Sequence, residues 1–132
     1  MEDSKPSGPQ QNTIELIRRQ AEFYEKGKLI IGLGEVIREN LPVETREEFR
    51  DTIDEWRERL ADAVNRFEAK LIPINEALPV AIAVFEEMME FAEETAHVPQ
   101  EQLSYTNLMA RNEEIIKQIQ KMLLDDEGEP IN

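Results

Sequence analysis

The stretch Thr45–Leu71, TREEFRDTIDEWRERLADAVNRFEAKL, decides the fold. Its apolar residues Phe49, Ile53, Trp56, Leu60, Ala63 or Val64, Phe67 and Leu71 recur every three or four positions, the spacing that lines one side of an α-helix. Thr45 followed three residues later by Glu48 writes a capping box, so a helix is expected from Thr45 to about Leu71. Burying six large side chains of this stripe is worth about 9–18 kcal/mol gross. Ordering the backbone costs about 1–2 kcal/mol for each residue. Such a helix cannot stand alone, and its stripe requires other helices to pack on.

The same rhythm continues on both sides. Upstream, Asn12 and Glu15 form a second capping box, and Ile14, Ile17, Ala21 and Tyr24 predict a first helix over Thr13–Asn40. Gly27, Gly32 and Gly34 each cost about 0.5–1 kcal/mol relative to alanine inside a helix, so Gly27 either ends one helix or only weakens a longer one, with a single helix, kinked or straight, as the preferred reading. Pro42 is the firmer stop, because the residue before a proline is pushed away from helical angles. Downstream of Pro73, the residues Leu78, Ile82, Phe85, Met89, Ala92 and Ala96 predict a third helix running to His97 and closed by Val98 and Pro99. Proline is tolerated in a first turn, so that helix is expected to become regular near Pro79. Ser104 is a cap candidate for a last helix carrying Leu108, Ile115, Ile119 and Met122, widened by Ile116 and Leu123. Asn112 falls on its apolar seam, either as a register-setting polar residue or at a rim facing water.

No segment longer than a few residues alternates as a strand would, and 132 residues with 40% hydrophobic side chains suffice for one core. The expected fold is all-α: an antiparallel four-helix bundle with coiled-coil-like packing, completed or extended by oligomerisation. Residues 1–12 are expected as a disordered polar tail, 13–124 as a single helical domain and 125–132 as an acidic C-terminal tail.

Charge and composition remove several classes of function. With 29 acidic against 15 basic residues the chain carries −14, which opposes direct binding to nucleic acid phosphates and suits a basic protein partner. The absence of cysteine excludes disulfides, a thiolate nucleophile and thiolate-rich zinc sites, and agrees with a reducing cytoplasm. Met1–Asn12 has neither the basic start nor the apolar run of a secretion signal. The most apolar window, Leu71–Phe85, contains Asn75 and Glu76 and is shorter than the roughly 20 residues of a membrane-spanning helix. Neither a membrane nor nucleic acid is expected as a direct partner.

Residues 72–98 hold six glutamates and no lysine or arginine, which makes the charged side of the third helix, Glu86, Glu87, Glu90, Glu93, Glu94 and His97, the constellation to weigh. Glu94-x-x-His97 is half of the motif that carboxylate di-metal bundles use, but the chain has no second histidine. The stripe also lies opposite the apolar seam, so a solvated face is the first reading. A surface for a basic partner is the second, and a metal site of Glu90, Glu94 and His97 the third. Gly27-Lys28 and Gly32-x-Gly34 lack the remaining residues of a phosphate loop. With one histidine, and with serine only at positions 4, 7 and 104, no nucleophilic triad assembles. Trp56 sits on a helix seam and is expected as core, and the basic cluster Arg18, Arg19, Lys26 and Lys28 is expected to pair with an acidic helix. The run Leu29, Ile30, Ile31, Leu33, Val36 and Ile37 covers more than one helical face, and an interface on one side accounts for the excess.

The expected function is that of a non-catalytic adaptor or regulatory protein, acting as a homo-oligomer in the cytoplasm with no cofactor and no metal. It would meet a protein partner through Leu29, Ile30, Ile31 and Leu33 and through Glu86, Glu87, Glu90, Glu93 and Glu94. One alternative is an acidic inhibitor or nucleic-acid mimic that presents the glutamate side of the third helix to a basic protein. Another is a carboxylate-bridged metal protein built on Glu94-x-x-His97.

Overall fold

The computed structural model describes the backbone of residues 4–128 and the side chains of residues 12–124. The parts of the expected tails at 1–3 and 129–132 lie outside the described residues. Among those described there are helices and no strand: α1 (Ser4–Asn40), α2 (Val43–Glu48), α3 (Arg50–Glu68), α4 (Ile74–Glu94), a 3-10 turn at Gln100–Leu103, and α5 (Tyr105–Gly128). The helices pack against one another around a shared core, and none is long and apolar enough to cross a membrane.

α1 begins at Ser4, ahead of the capping box at Asn12, and Pro6 falls in its first turn, where a missing amide forfeits no helical hydrogen bond. The helix passes through Gly27, Gly32 and Gly34 without interruption over 37 residues, about 55 Å at 1.5 Å per residue. It stops at Pro42, as the sequence demands. Side chains fasten its end: Arg46 Nε donates to Leu41 O at 3.1 Å, and Asn40 Nδ2 donates to Val36 O at 2.8 Å and to Gln102 Oε1 at 2.8 Å.

The second helix differs from the expectation at its start. It breaks at Phe49 (φ −102°, ψ 13°), and its first turn begins at Val43 after Pro42 rather than at a Thr45 cap. Phe49 turns inward onto Phe91, with ring centroids 5.0 Å apart and planes at 81°, and that contact explains the bend. Its amide still donates to Thr45 O and its carbonyl still accepts from Ile53 N, so the hydrogen-bonded path continues. The far end of α3 closes in a Schellman motif, with Leu71 N donating to Arg66 O and Lys70 N to Phe67 O. Lys70 occupies the left-handed position (φ 63°) where glycine is usual.

α4 is the axis of the fold. Its deepest residues are Ile74, Ala77, Leu78, Ala81, Val84, Met88 and Ala92, so the buried stripe is centred one position away from the expected Ile82, Phe85 and Met89. Those larger residues are half-buried on its flanks. The shift has a packing reason: both α1 and α3 lie on α4, and small side chains at the centre let both approach. α4 also starts at Ile74 rather than near Pro79. Pro79 is exposed, and so is Asn75, whose carbonyl loses its helical donor to the proline ring.

Residue pairings set the directions. Arg19 bonds Asn75, Lys26 lies 4.8 Å from the Phe85 ring centroid, and Gly34 faces Met88, so α1 and α4 run the same way. Phe23 meets Phe67 edge to face at 5.6 Å, and Arg59 bonds Glu87 while Phe49 reaches Phe91, so α3 runs against both. α5 is capped by Ser104, whose Oγ accepts from Asn107 N at 3.1 Å, and crosses α1 at Gly32. A Cβ at Gly32 would run into the carbonyl of Leu108, 2.9 Å from its carbon, so only glycine permits this approach.

Candidate functional site

α1 and α3 both rest on α4, and a groove lies between them. At one end it is closed by the aromatic trio Phe23, Tyr24 and Phe67, and by the Tyr24 hydroxyl donating to Glu68 at 3.0 Å. Burial first and the Glu68 hydrogen bond second push the Tyr24 phenol above its ordinary pKa. Beyond that closure runs a groove of about 550 Å³. Ile30, Ile31 and Gly34 form its α1 wall, Trp56, Leu60 and Val64 its α3 wall, Met88 its floor, and Ile115 of α5 reaches its rim. Glu35, Arg38 and Arg57 stand at the edges. The chemistry on offer is an apolar slot with a mixed charged border, the kind of surface that accepts an amphipathic helix.

The candidate partner residues divide. Leu29, Ile30 and Leu33 are buried in the core of their own chain, because that part of α1 is covered by α4 on one side and α5 on the other. Of the four, only Ile31 is substantially exposed, at 43%. The glutamates are all exposed, but they are not one equivalent face. Glu87 accepts hydrogen bonds from Arg59 Nη1 at 2.7 Å and from Trp56 Nε1 at 3.3 Å, which ties α4 to α3. The Arg59 hydrogen bond holds the Glu87 carboxyl below its ordinary value, against a smaller opposing effect of burial. Glu93 accepts from Gln100 at 3.3 Å. Glu87, Glu90 and Glu94 border a hollow of about 260 Å³ over Trp56 and Phe91, while Glu86 stands apart beside Arg19 and Asn75.

The Glu94-x-x-His97 geometry does not form. α4 ends at Glu94, and His97 takes a left-handed backbone (φ 53°), so the two residues do not share a helical stripe. Among the described residues no three His, Cys, Asp or Glu side chains converge to hold a metal ion. The basic cluster does not meet the acidic helix as a unit either. Arg18 and Arg19 pair with Glu15 one turn away, and Lys26 covers the Phe85 ring. Trp56 is buried at the junction of α3 and α4, 5.2 Å from Phe91.

Two features lay outside the candidate residues. The outer half of α5 exposes Ile116, Ile119, Met122, Leu123 and Leu124, and the start of α1 exposes Ile14, Leu16 and Ile17. Asn112, by contrast, is 2% exposed at the α1–α5 seam, and its Oδ1 has no hydrogen-bond partner. It is therefore a seam residue and not a rim residue. No family model matches the chain, and no curated protein or solved structure is similar to it.

Proposed function

We propose that this is a non-catalytic adaptor or regulatory protein of the cytoplasm, which binds a helix of a protein partner in the groove between α1 and α3. The antiparallel four-helix arrangement is completed in that complex, with the incoming helix as the missing member. The single observation that carries this reading is the groove itself: an apolar slot that opens between α1 and α3 beyond the point where Phe23 and Tyr24 meet Phe67. Burying exposed apolar surface is the main driving force for association, and Ile31, with the half-buried Leu60 and Val64, offers it here. A cysteine-free composition agrees with the assigned compartment.

The test uses the full chain as bait in extracts of its source cell, beside the variants Ala61→Glu in the groove and Ile119→Glu on α5, followed by mass measurement of native assemblies. Ala61 and Ile119 are exposed, so neither change disturbs the core. The expected result is a protein, another copy of the chain included, held by the parent and lost by a variant. Identical recoveries from parent and variants would refute the reading.

A further inference from the structure

We infer that the occupant of the groove is a second copy of this chain, and that the part inserted is the outer half of α5, residues 115–124. This rests on the reading of the groove as a helix-binding slot and names its partner. Four observations carry it.

The first is continuity: Ile115 already forms part of the groove rim, and every side chain of α5 from Ile116 to Leu124 is exposed. An arm therefore leaves the body at the mouth of the slot. Being one unbroken helix, α5 cannot turn back into its own groove. The second is side-chain chemistry. Ile116, Ile119, Met122 and Leu123 recur at three- and four-residue spacing, which lines one side of the arm, and Ile119 and Leu123 are 51% and 57% exposed. The slot wants such a stripe, and the same chain supplies it.

The third observation is charge. The arm carries Lys117 and Lys121 and no acidic residue, in a chain whose net charge is −14. The groove edge carries Glu35 together with Arg38 and Arg57. On the adjoining exposed side of α3, Asp54 pairs with Arg57 and Asp62 with Arg66, while Glu35 and Glu58 have no ion-pair partner among the described residues. Two copies repel as whole bodies, so a basic, apolar segment is suited to approach another copy, with Glu35 and Glu58 as the carboxylates its lysines can meet. The fourth is length. From Ile115 to Leu124 the arm measures about 14 Å, and the α1 wall from Ile30 to Arg38 about 12 Å.

An arm and a slot on one chain make a self-complementary pair. Two copies related by a two-fold axis exchange arms and close both grooves at once, which gives a finite dimer and not a filament.

Sedimentation of the full chain over a concentration series tests this, with the double variant Ile119→Glu/Leu123→Glu as comparison. The parent is expected at twice the 15.3 kDa chain mass. In the variant the dimer dissociation constant should rise by at least about a hundredfold, with the helical circular dichroism of the protomer unchanged. A second measurement reads the contact itself. The chain has no cysteine, so Ala61→Cys in one tagged copy and Gln120→Cys in another should join across copies on mild oxidation, well above a Glu101→Cys control. A monomer at every concentration, or a dimer indifferent to the arm substitutions, overturns the proposal. If the protein is monomeric yet still captures another helix through a groove sensitive to Ala61→Glu, self-pairing falls and the broader reading stands. If it captures nothing, both fall.

Discussion

Residues 29–37 of α1 and 115–124 of α5 are both dense in isoleucine and leucine, both are helical, and their surroundings are opposite. In the first stretch Leu33 and Ile37 reach zero exposure, while in the second everything from Ile116 to Leu124 faces outward. Composition sets how much surface a helix needs to hide. The number of helices that reach it sets how much is hidden. The middle of α1 has α4 on one side and α5 on the other, and Gly32 lets α5 come within backbone contact, whereas α5 runs on past the end of its own support.

The largest expected effect that would break this comparison is an unequal pair of truncations. Leu33→Ala should destabilise by about 2–5 kcal/mol through the cavity it leaves. Ile119→Ala should change protomer stability by less than about 0.5 kcal/mol. Urea midpoints at concentrations low enough to separate copies provide the readout, and equal losses would sink the contrast. Next come the two glycines. Gly32→Ala should cost about 1–3 kcal/mol by forcing α5 off α1, whereas Gly27→Ala, with nothing within 4 Å of its Cβ, should gain about 0.5–1 kcal/mol from helix propensity. Thermal melts of the two variants should therefore shift in opposite directions.

Asn112→Leu should raise stability by about 1–2 kcal/mol, since it removes a buried oxygen without a partner from the seam between the contrasted helices. A loss of similar size would show that the amide is satisfied there and that the seam is polar by need. The smallest effect belongs to Glu87. Its folded carboxyl is held below the ordinary 4.5, so its contribution is fully present above that pH and fades as pH falls through the depressed value. Arg59 and Glu87 are both partly exposed, which keeps the contribution under about 1 kcal/mol. Glu87→Gln should accordingly lower the urea midpoint slightly at neutral pH and leave it unchanged in acid.

Helix content was legible in sequence because a three- and four-residue rhythm has no other structural use, and Pro42 and Ser104 fixed two boundaries by chemistry that acts within one turn. The centre of α4 was not legible. Ala77, Ala81 and Val84 are weak signals beside Ile82, Phe85 and Met89, and only the presence of two neighbours makes small residues the deepest. The groove was illegible for the same reason. Trp56, Leu60 and Val64 read as core by spacing; Trp56 is buried as expected, but nothing local reveals that Leu60 and Val64 stay only partly covered. The signal for the arm was in the sequence, because 115–124 is a ten-residue apolar run in the acidic second half that carries two lysines and no carboxylate.

The crossing at Gly32 has a kinetic consequence. α5 is pinned at that point and already helical beyond it, so the outer segment has little chain entropy left to lose when it docks. Encounter in the proposed dimer would then need orientation and not folding, and its rate would be a matter of diffusion and of how ions screen the two lysines from Glu35 and Glu58. One missing methyl group on α1 thereby sets how quickly a surface on another helix finds its place.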